Sequence, residues 1–100
     1  MRLTPEQRER IVSIVRSHLG SDAEVWLYGS RTRSEGRGGD VDLLIKTEQE
    51  VDAIDQALVH SSLEQAVSLP VDVSFIHPRL GMNRFQRLVA AEAVLLEPCG

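Results

Sequence analysis

Three short segments alternate apolar and polar residues, and this alternation limits the chain more than any other feature. Glu24–Tyr28 places Val25 and Leu27 on one side and Trp26 and Tyr28 on the other. Asp40–Ile45 sets Val41, Leu43 and Ile45 against Asp40 and Asp42, and the segment from Pro70 to Ile76 sets Val71, Val73 and Phe75 against Asp72 and Ser74. Side chains two apart on a strand share a face, so each segment reads as a strand with one face on a core. Between and around them the period changes to that of a helix. Thr4-Pro5-Glu6-Gln7 offers a cap residue, a proline at the first helical position and a glutamine that closes a capping box, followed by Ile11, Ile14, Val15 and Leu19, with Gly20 as the stop. Thr47-Glu48-Gln49-Glu50 repeats the capping pattern ahead of Val51, Ile54, Ala57 and Leu58. Met82, Phe85, Leu88 and Val89 read as a third amphipathic helix, and Val94–Leu96 as a short last strand.

Connection lengths then set the topology. The link from the second strand to the third carries a helix, so these two strands are expected to run parallel, and the shorter link from the first to the second allows an antiparallel pair. The expectation is an α/β fold, a mixed three- to four-stranded sheet whose apolar face is covered by helices and whose acidic end is open.

That acidic end carries the chemistry. Asp40 and Asp42 share a face, and if Asp72 lies on the neighbouring strand it joins them. A half-buried carboxylate without a partner or cation is costly, and clustered carboxylates either raise a pKa or call for a metal. Hard oxygen donors of this kind suit magnesium or manganese. Upstream, Gly29-Ser30 lets backbone N–H groups approach phosphate oxygens with the Ser30 hydroxyl as a further donor, and the Arg31 guanidinium matches phosphate geometry. Arg33 and Arg37 are weaker candidates, because a loop rich in Gly, Ser and Arg is commonly a soluble connection. Any one of these pieces alone says little; it is their combination that points to a metal-bound triphosphate.

Composition supports a narrower set of functions. One hundred residues form one compact domain over 1–100, with too little chain for a separate acceptor-binding domain. A net charge of −4 argues against a broad electrostatic grip on DNA or RNA. The lone Cys99 excludes an internal disulfide and a cysteine metal cage, and no signal-peptide pattern or membrane-length apolar run is present, so a cytoplasmic location is expected. His18, His60 and His77 have no metal-ligand spacing; His77, at a strand exit, is the one that could approach the open end. Trp26 and Tyr28 are expected under a helix or at the rim of the nucleotide site.

Taken together, the Gly29-Ser30 turn, the loop, Asp40-Val41-Asp42 and Val71-Asp72-Val73 resemble the minimal nucleotidyltransferases (MNT) of the DNA polymerase beta superfamily, over nearly the whole chain. The spacing from Ser30 to Asp40 is one residue shorter than in many antitoxin members, and Ser34 stands where a common form of the motif has its last glycine. Both departures fall in the loop and bear on nucleotide choice more than on metal binding. The resemblance implies a polymerase beta-like fold of prokaryotic origin, with Gly29, Ser30 and Arg31 on the nucleotide. It implies two metal ions on Asp40 and Asp42, and Asp72 as a further ligand or as the base. It also implies AMP transfer from ATP to a tyrosine of an RNase toxin, as in the antitoxin half of HEPN/MNT toxin–antitoxin pairs, with a hetero- or homo-oligomer as the working form. Two rival readings keep the fold: neutralisation of a partner by binding alone, and transfer to a small molecule of the antibiotic type.

Overall fold

The computed structural model describes residues 4–28 and 41–96. Gly29, Ser30, Arg31, Arg33, Ser34, Arg37, Asp40 and Cys99 lie outside the described residues. The order of elements is α1 (Pro5–Leu19), β1 (Glu24–Tyr28), β2 (Val41–Lys46), α2 (Ala53–Val67), β3 (Val71–Ile76), α3 (Arg84–Ala90) and β4 (Val94–Leu96). The four strands form one sheet in the order β3-β2-β1-β4. β1 runs antiparallel to β2, and β2 runs parallel to β3, as the connection lengths predict; β4 pairs antiparallel with the other side of β1.

The sheet has two unlike faces. On one, Val25, Leu27, Val41, Leu43, Ile45 and Val71 meet Ile11, Val12 and Val15 of α1 and Val59, Leu63 and Val67 of α2, and Leu96 completes this core. Fully burying a Leu or Ile side chain contributes roughly 1.5–3 kcal/mol relative to leaving it exposed, so this layer holds most of the hydrophobic stabilisation. On the other face a smaller cluster of Tyr28, Leu44 and Ile76 packs with Trp26, Val89, Ala90 and Ala93, which brings the short α3 against part of that face.

Helix ends follow local chemistry, with two revisions. The Thr4–Gln7 capping box starts α1 in full, with Thr4 Oγ1 accepting from Gln7 N and Gln7 Oε1 accepting from Thr4 N. Gly20 stops it at φ +105°, where a Cβ would also meet Asp22 Oδ1 at 2.9 Å. The expected cap at Thr47 is corrected: Thr47 is buried and donates its hydroxyl to Gln49 O at 2.6 Å, and α2 begins five residues later behind Asp52, which accepts from Asp55 N at 2.8 Å. With that phase the buried stripe is Val59, Leu63 and Val67, while Ile54 and Leu58 are exposed.

The third helix forms with Val89 packed inward and Phe85 against Tyr28, but its most buried residue is polar. Leu88 and Phe85 are 69% and 53% exposed, whereas Gln86 is 4% exposed. Gln86 Oε1 accepts from Asn83 N in a capping box, and its Nε2 donates to Ser74 Oγ and to Phe75 O. The buried amide is bonded through both its oxygen and its nitrogen, and one of the groups it satisfies is a carbonyl of the outer strand.

That outer strand is managed at its other end as well. β3 is a sheet edge, and the backbone groups of Val71 are taken up by α2: Glu64 Oε2 accepts from Val71 N at 2.9 Å, and His60 Nε2 lies 2.6 Å from Val71 O, which fits an N–H donor there. Side chains from α2 and α3 thus cover exposed edge groups that could otherwise pair with another chain.

Candidate active site

Strand register assembles the site. Tyr28 pairs with Asp42 across the antiparallel β1–β2 ladder, and Asp42 pairs with Asp72 across the parallel β2–β3 ladder. These three residues form one row on a single face of the sheet. The next row on that face is Leu95, Trp26, Leu44 and Ser74, and α3 reaches it through Gln86 and the cluster around Trp26. In that row Tyr28 is still under α3, and the two carboxylates lie at the sheet end beside it. Asp42 is half-buried and Asp72 is exposed, which departs from the expectation of a half-buried Asp72: as the second residue of an edge strand it stands at the mouth.

The flanks of segment 29–40 are at this same end. Tyr28 is the last residue of β1 and Val41 the first of β2, and Val41 N donates to Pro70 O at 2.9 Å, tying the start of β2 to the start of β3. Asp40 and the Gly29-Ser30-Arg31 segment adjoin these two residues in sequence and lie outside the described residues.

The fit to a divalent cation can be judged on the two described carboxylates. Asp42 and Asp72 stand side by side on one face of a parallel pair, and neighbouring strands lie about 4.7–4.9 Å apart, so their oxygens can share one hard ion. No three Asp, Glu, His or Cys side chains among the described residues form a metal-holding group. The remaining donor named from the sequence, Asp40, is not among them.

Electrostatics mark Tyr28. Burial first, then the charges of Asp42 and Asp72, push its phenol above the ordinary value of 10.0. Tyr28 is 8% exposed, and its ring meets Phe85 of α3 edge-on, with centroids 6.1 Å apart. Of the placements expected for Tyr28, the one under a helix is met: it packs beneath α3, in register with Asp42.

The histidines stay outside the row. His77 follows β3 at the end opposite Asp72, where its Nδ1 accepts from Arg79 N and Leu80 N, and its Nε2 lies 3.6 Å from Glu50. This is a turn clamp, so the approach to the open end considered for His77 does not occur. A groove lined by Glu6, Glu9, Arg10, Ser13, Ile14 and Ala66 lies on the α1–α2 layer, across the sheet from Asp42 and Asp72.

Comparison with known proteins matches the nucleotidyltransferase domain family over residues 8–94. The chain belongs to that family. No curated protein sequence matches. Among solved structures, MntA–HepT, a toxin–antitoxin pair, aligns with 92% of this chain and 70% of its own at 16% identity and a TM-score of 0.71. The MNT antitoxin complex with the tri-AMPylated HEPN toxin of Shewanella oneidensis aligns with 92% and 70% at 17% identity and a TM-score of 0.67. A protein described as a minimal nucleotidyltransferase aligns with 88% and 87% at 28% identity and a TM-score of 0.63. This nucleotidyltransferase therefore has the minimal MNT fold and resembles MntA. No helix among its described residues is long and apolar enough to cross a membrane.

Proposed function

We propose that this nucleotidyltransferase transfers AMP from ATP to a hydroxyl of a protein partner, a tyrosine of a HEPN-domain toxin, and acts as its antitoxin. The observation that carries the reading is the register that sets Asp42 opposite Asp72 on the open face of the sheet. The AMPylated toxin in complex with a structurally similar MNT antitoxin supports the choice of acceptor.

In this reading Asp40, Asp42 and Asp72 hold two divalent ions, magnesium or manganese, and Gly29, Ser30 and Arg31 bind the triphosphate. When bound, the ions supply charge neutralisation at the phosphates and favour an ionised acceptor. The residues of the chain supply the geometry. Asp72, exposed at the mouth, takes the proton of the acceptor hydroxyl. The hydroxyl oxygen bonds to the α-phosphorus, the bond from that phosphorus to the bridging oxygen breaks, and pyrophosphate leaves in line. The half-buried Asp42 is held by strand pairing on both sides, so its position is set before substrate arrives.

Mass spectrometry of the partner after incubation with this chain, ATP and magnesium tests the reading. An AMP-sized increase that disappears with Asp42→Asn and with Asp72→Ala is expected. Stable complex formation with no mass increase would favour neutralisation by binding alone, and wild-type transfer by either variant would refute the assignment of the carboxylates.

A further inference from the structure

We infer that His60 and Glu64 of α2 are positioning residues for Asp72, gripping the backbone of Val71 at the sheet edge so that the carboxylate one residue on stands at a fixed place in the mouth. The inference rests on the proposed nucleotidyl transfer and extends it to two residues outside the acidic row.

The geometry is a two-point grip. Glu64 Oε2 accepts from Val71 N at 2.9 Å, His60 Nε2 lies 2.6 Å from Val71 O, and the two side chains, one helical turn apart, approach each other to 3.4 Å. The Val71 carbonyl belongs to the same planar peptide unit as Asp72 N and Asp72 Cα, so a donor on that oxygen fixes the plane from which the Asp72 side chain departs. The grip has a rigid base. Val59 and Leu63, each adjacent in sequence to one of the two residues, are 0% exposed and lie in the core layer between the helices and the sheet. The packing of α2 is thus carried to Asp72 through two hydrogen bonds and one peptide.

Asp72 has need of such a hold. It is exposed on the second residue of an edge strand, and Pro70, just ahead of that strand, has no N–H to give, so Val71 N is the first donor there. Asp42, by contrast, has a strand on each side. A metal ligand or a base must be held within about 0.5 Å of its productive place. The same strand supplies a control. Gln86 Nε2 donates to Phe75 O, farther along β3, and that bond covers the edge without touching the Asp72 peptide.

Steady-state AMP transfer and thermal unfolding are compared for wild type, His60→Leu, Glu64→Leu, His60→Gln, Gln86→Leu and Asp72→Ala, each assayed at a temperature where it is folded. His60→Leu and Glu64→Leu are expected to lower kcat by about 10-fold with an unchanged KM for the partner, the scale on which groups that orient a site residue act. His60→Gln, whose amide can reach Val71 O, should restore most of kcat. Gln86→Leu should melt earlier than wild type and keep its kcat. Wild-type kcat in His60→Leu and Glu64→Leu, or an equal loss in Gln86→Leu, overturns the inference, because edge cover alone would then account for both clamps; the transfer reading survives if Asp72→Ala is still inactive. If His60→Leu does not fold, His60→Asn, whose shorter amide stops short of Val71 O, takes its place under the same criteria. No transfer by wild type, or wild-type transfer by Asp72→Ala, refutes the underlying reading, and the role of His60 and Glu64 fails with it.

Discussion

The two faces of the sheet are made by the same strands and do opposite things. Toward α1 and α2, Val25, Leu27, Leu43 and Ile45 point into a closed apolar layer; toward α3, Trp26, Leu44 and Ser74 form a partly covered row beside the row of Tyr28, Asp42 and Asp72. Neighbouring residues therefore belong to different problems. Asp42 is half-buried on the chemical face, and Leu43, the next residue, is 0% exposed on the other. A strand separates stability from chemistry at single-residue resolution, because one step along it reverses the side chain. Proximity in sequence is then a poor guide to the consequence of a substitution.

Adjacent substitutions test this separation most severely. Asp42→Asn is expected to lower AMP transfer by about 100-fold or more, the scale on which a catalytic electrostatic group acts, while the unfolding midpoint stays near wild type. Leu43→Ala should do the reverse. Removing a fully buried leucine costs about 2–5 kcal/mol, yet transfer per folded molecule should persist. Parallel urea melts and transfer assays check both, and the comparison breaks if Leu43→Ala abolishes transfer in molecules shown to be folded or if Asp42→Asn unfolds the chain.

A smaller effect probes the cover on the chemical face. Gln86→Leu fills the space but removes the donation to Ser74 Oγ and Phe75 O and the cap on Asn83 N. Leaving a buried carbonyl without its donor costs about 1–3 kcal/mol, and the Phe75 carbonyl is only part-buried, so a destabilisation of about 1 kcal/mol is expected. Hydrogen exchange should localise it to α3 and the β3 edge, with α1 and α2 protected as before. Uniform loss of protection across all elements would mean that the two layers unfold as one and that the faces are not separable in stability.

These residues also explain which parts of the structure could be read from the sequence. β1, β2 and β3 were legible because alternation has a period of two and each turns one face to the core; the β1 limits, the parallel β2–β3 pair and the antiparallel β1–β2 pair all followed. Helix faces were less so. Val51, Ile54, Ala57 and Leu58 have helical spacing, but α2 begins only after Asp52, and the stripe that meets α1 is Val59, Leu63 and Val67. Two polar caps competed for the same helix, and the hydroxyl of Thr47 was consumed by Gln49 O. In α3 a buried glutamine outweighed Phe85 and Leu88, because hydrogen-bond demand at an edge strand leaves no trace in hydrophobic periodicity. At the site, face-sharing of Asp42 and Asp72 was legible from alternation plus topology. That Asp72 is exposed follows from β3 being the edge of the sheet, which no local pattern encodes.

The smallest expected effect concerns protonation of the row itself. Tyr28 is the single tyrosine of the chain, so phenolate absorbance follows it without interference from another phenol. Its folded pKa is raised by burial and by Asp42 and Asp72, whereas the unfolded chain should titrate near 10.0. The neutral phenol is the form the fold favours. Its contribution to stability is therefore complete below pH 10, and is lost as pH rises from the unfolded value through the folded one, with no effect near neutrality. The absorbance midpoint of the folded protein should lie above that of the urea-unfolded chain, and Asp42→Asn combined with Asp72→Asn should bring it partway back, with the burial contribution remaining. A double variant that titrates like wild type would mean that burial alone sets the phenol, and that Tyr28 belongs energetically to the covered row of Trp26 and Leu44 rather than to the carboxylates.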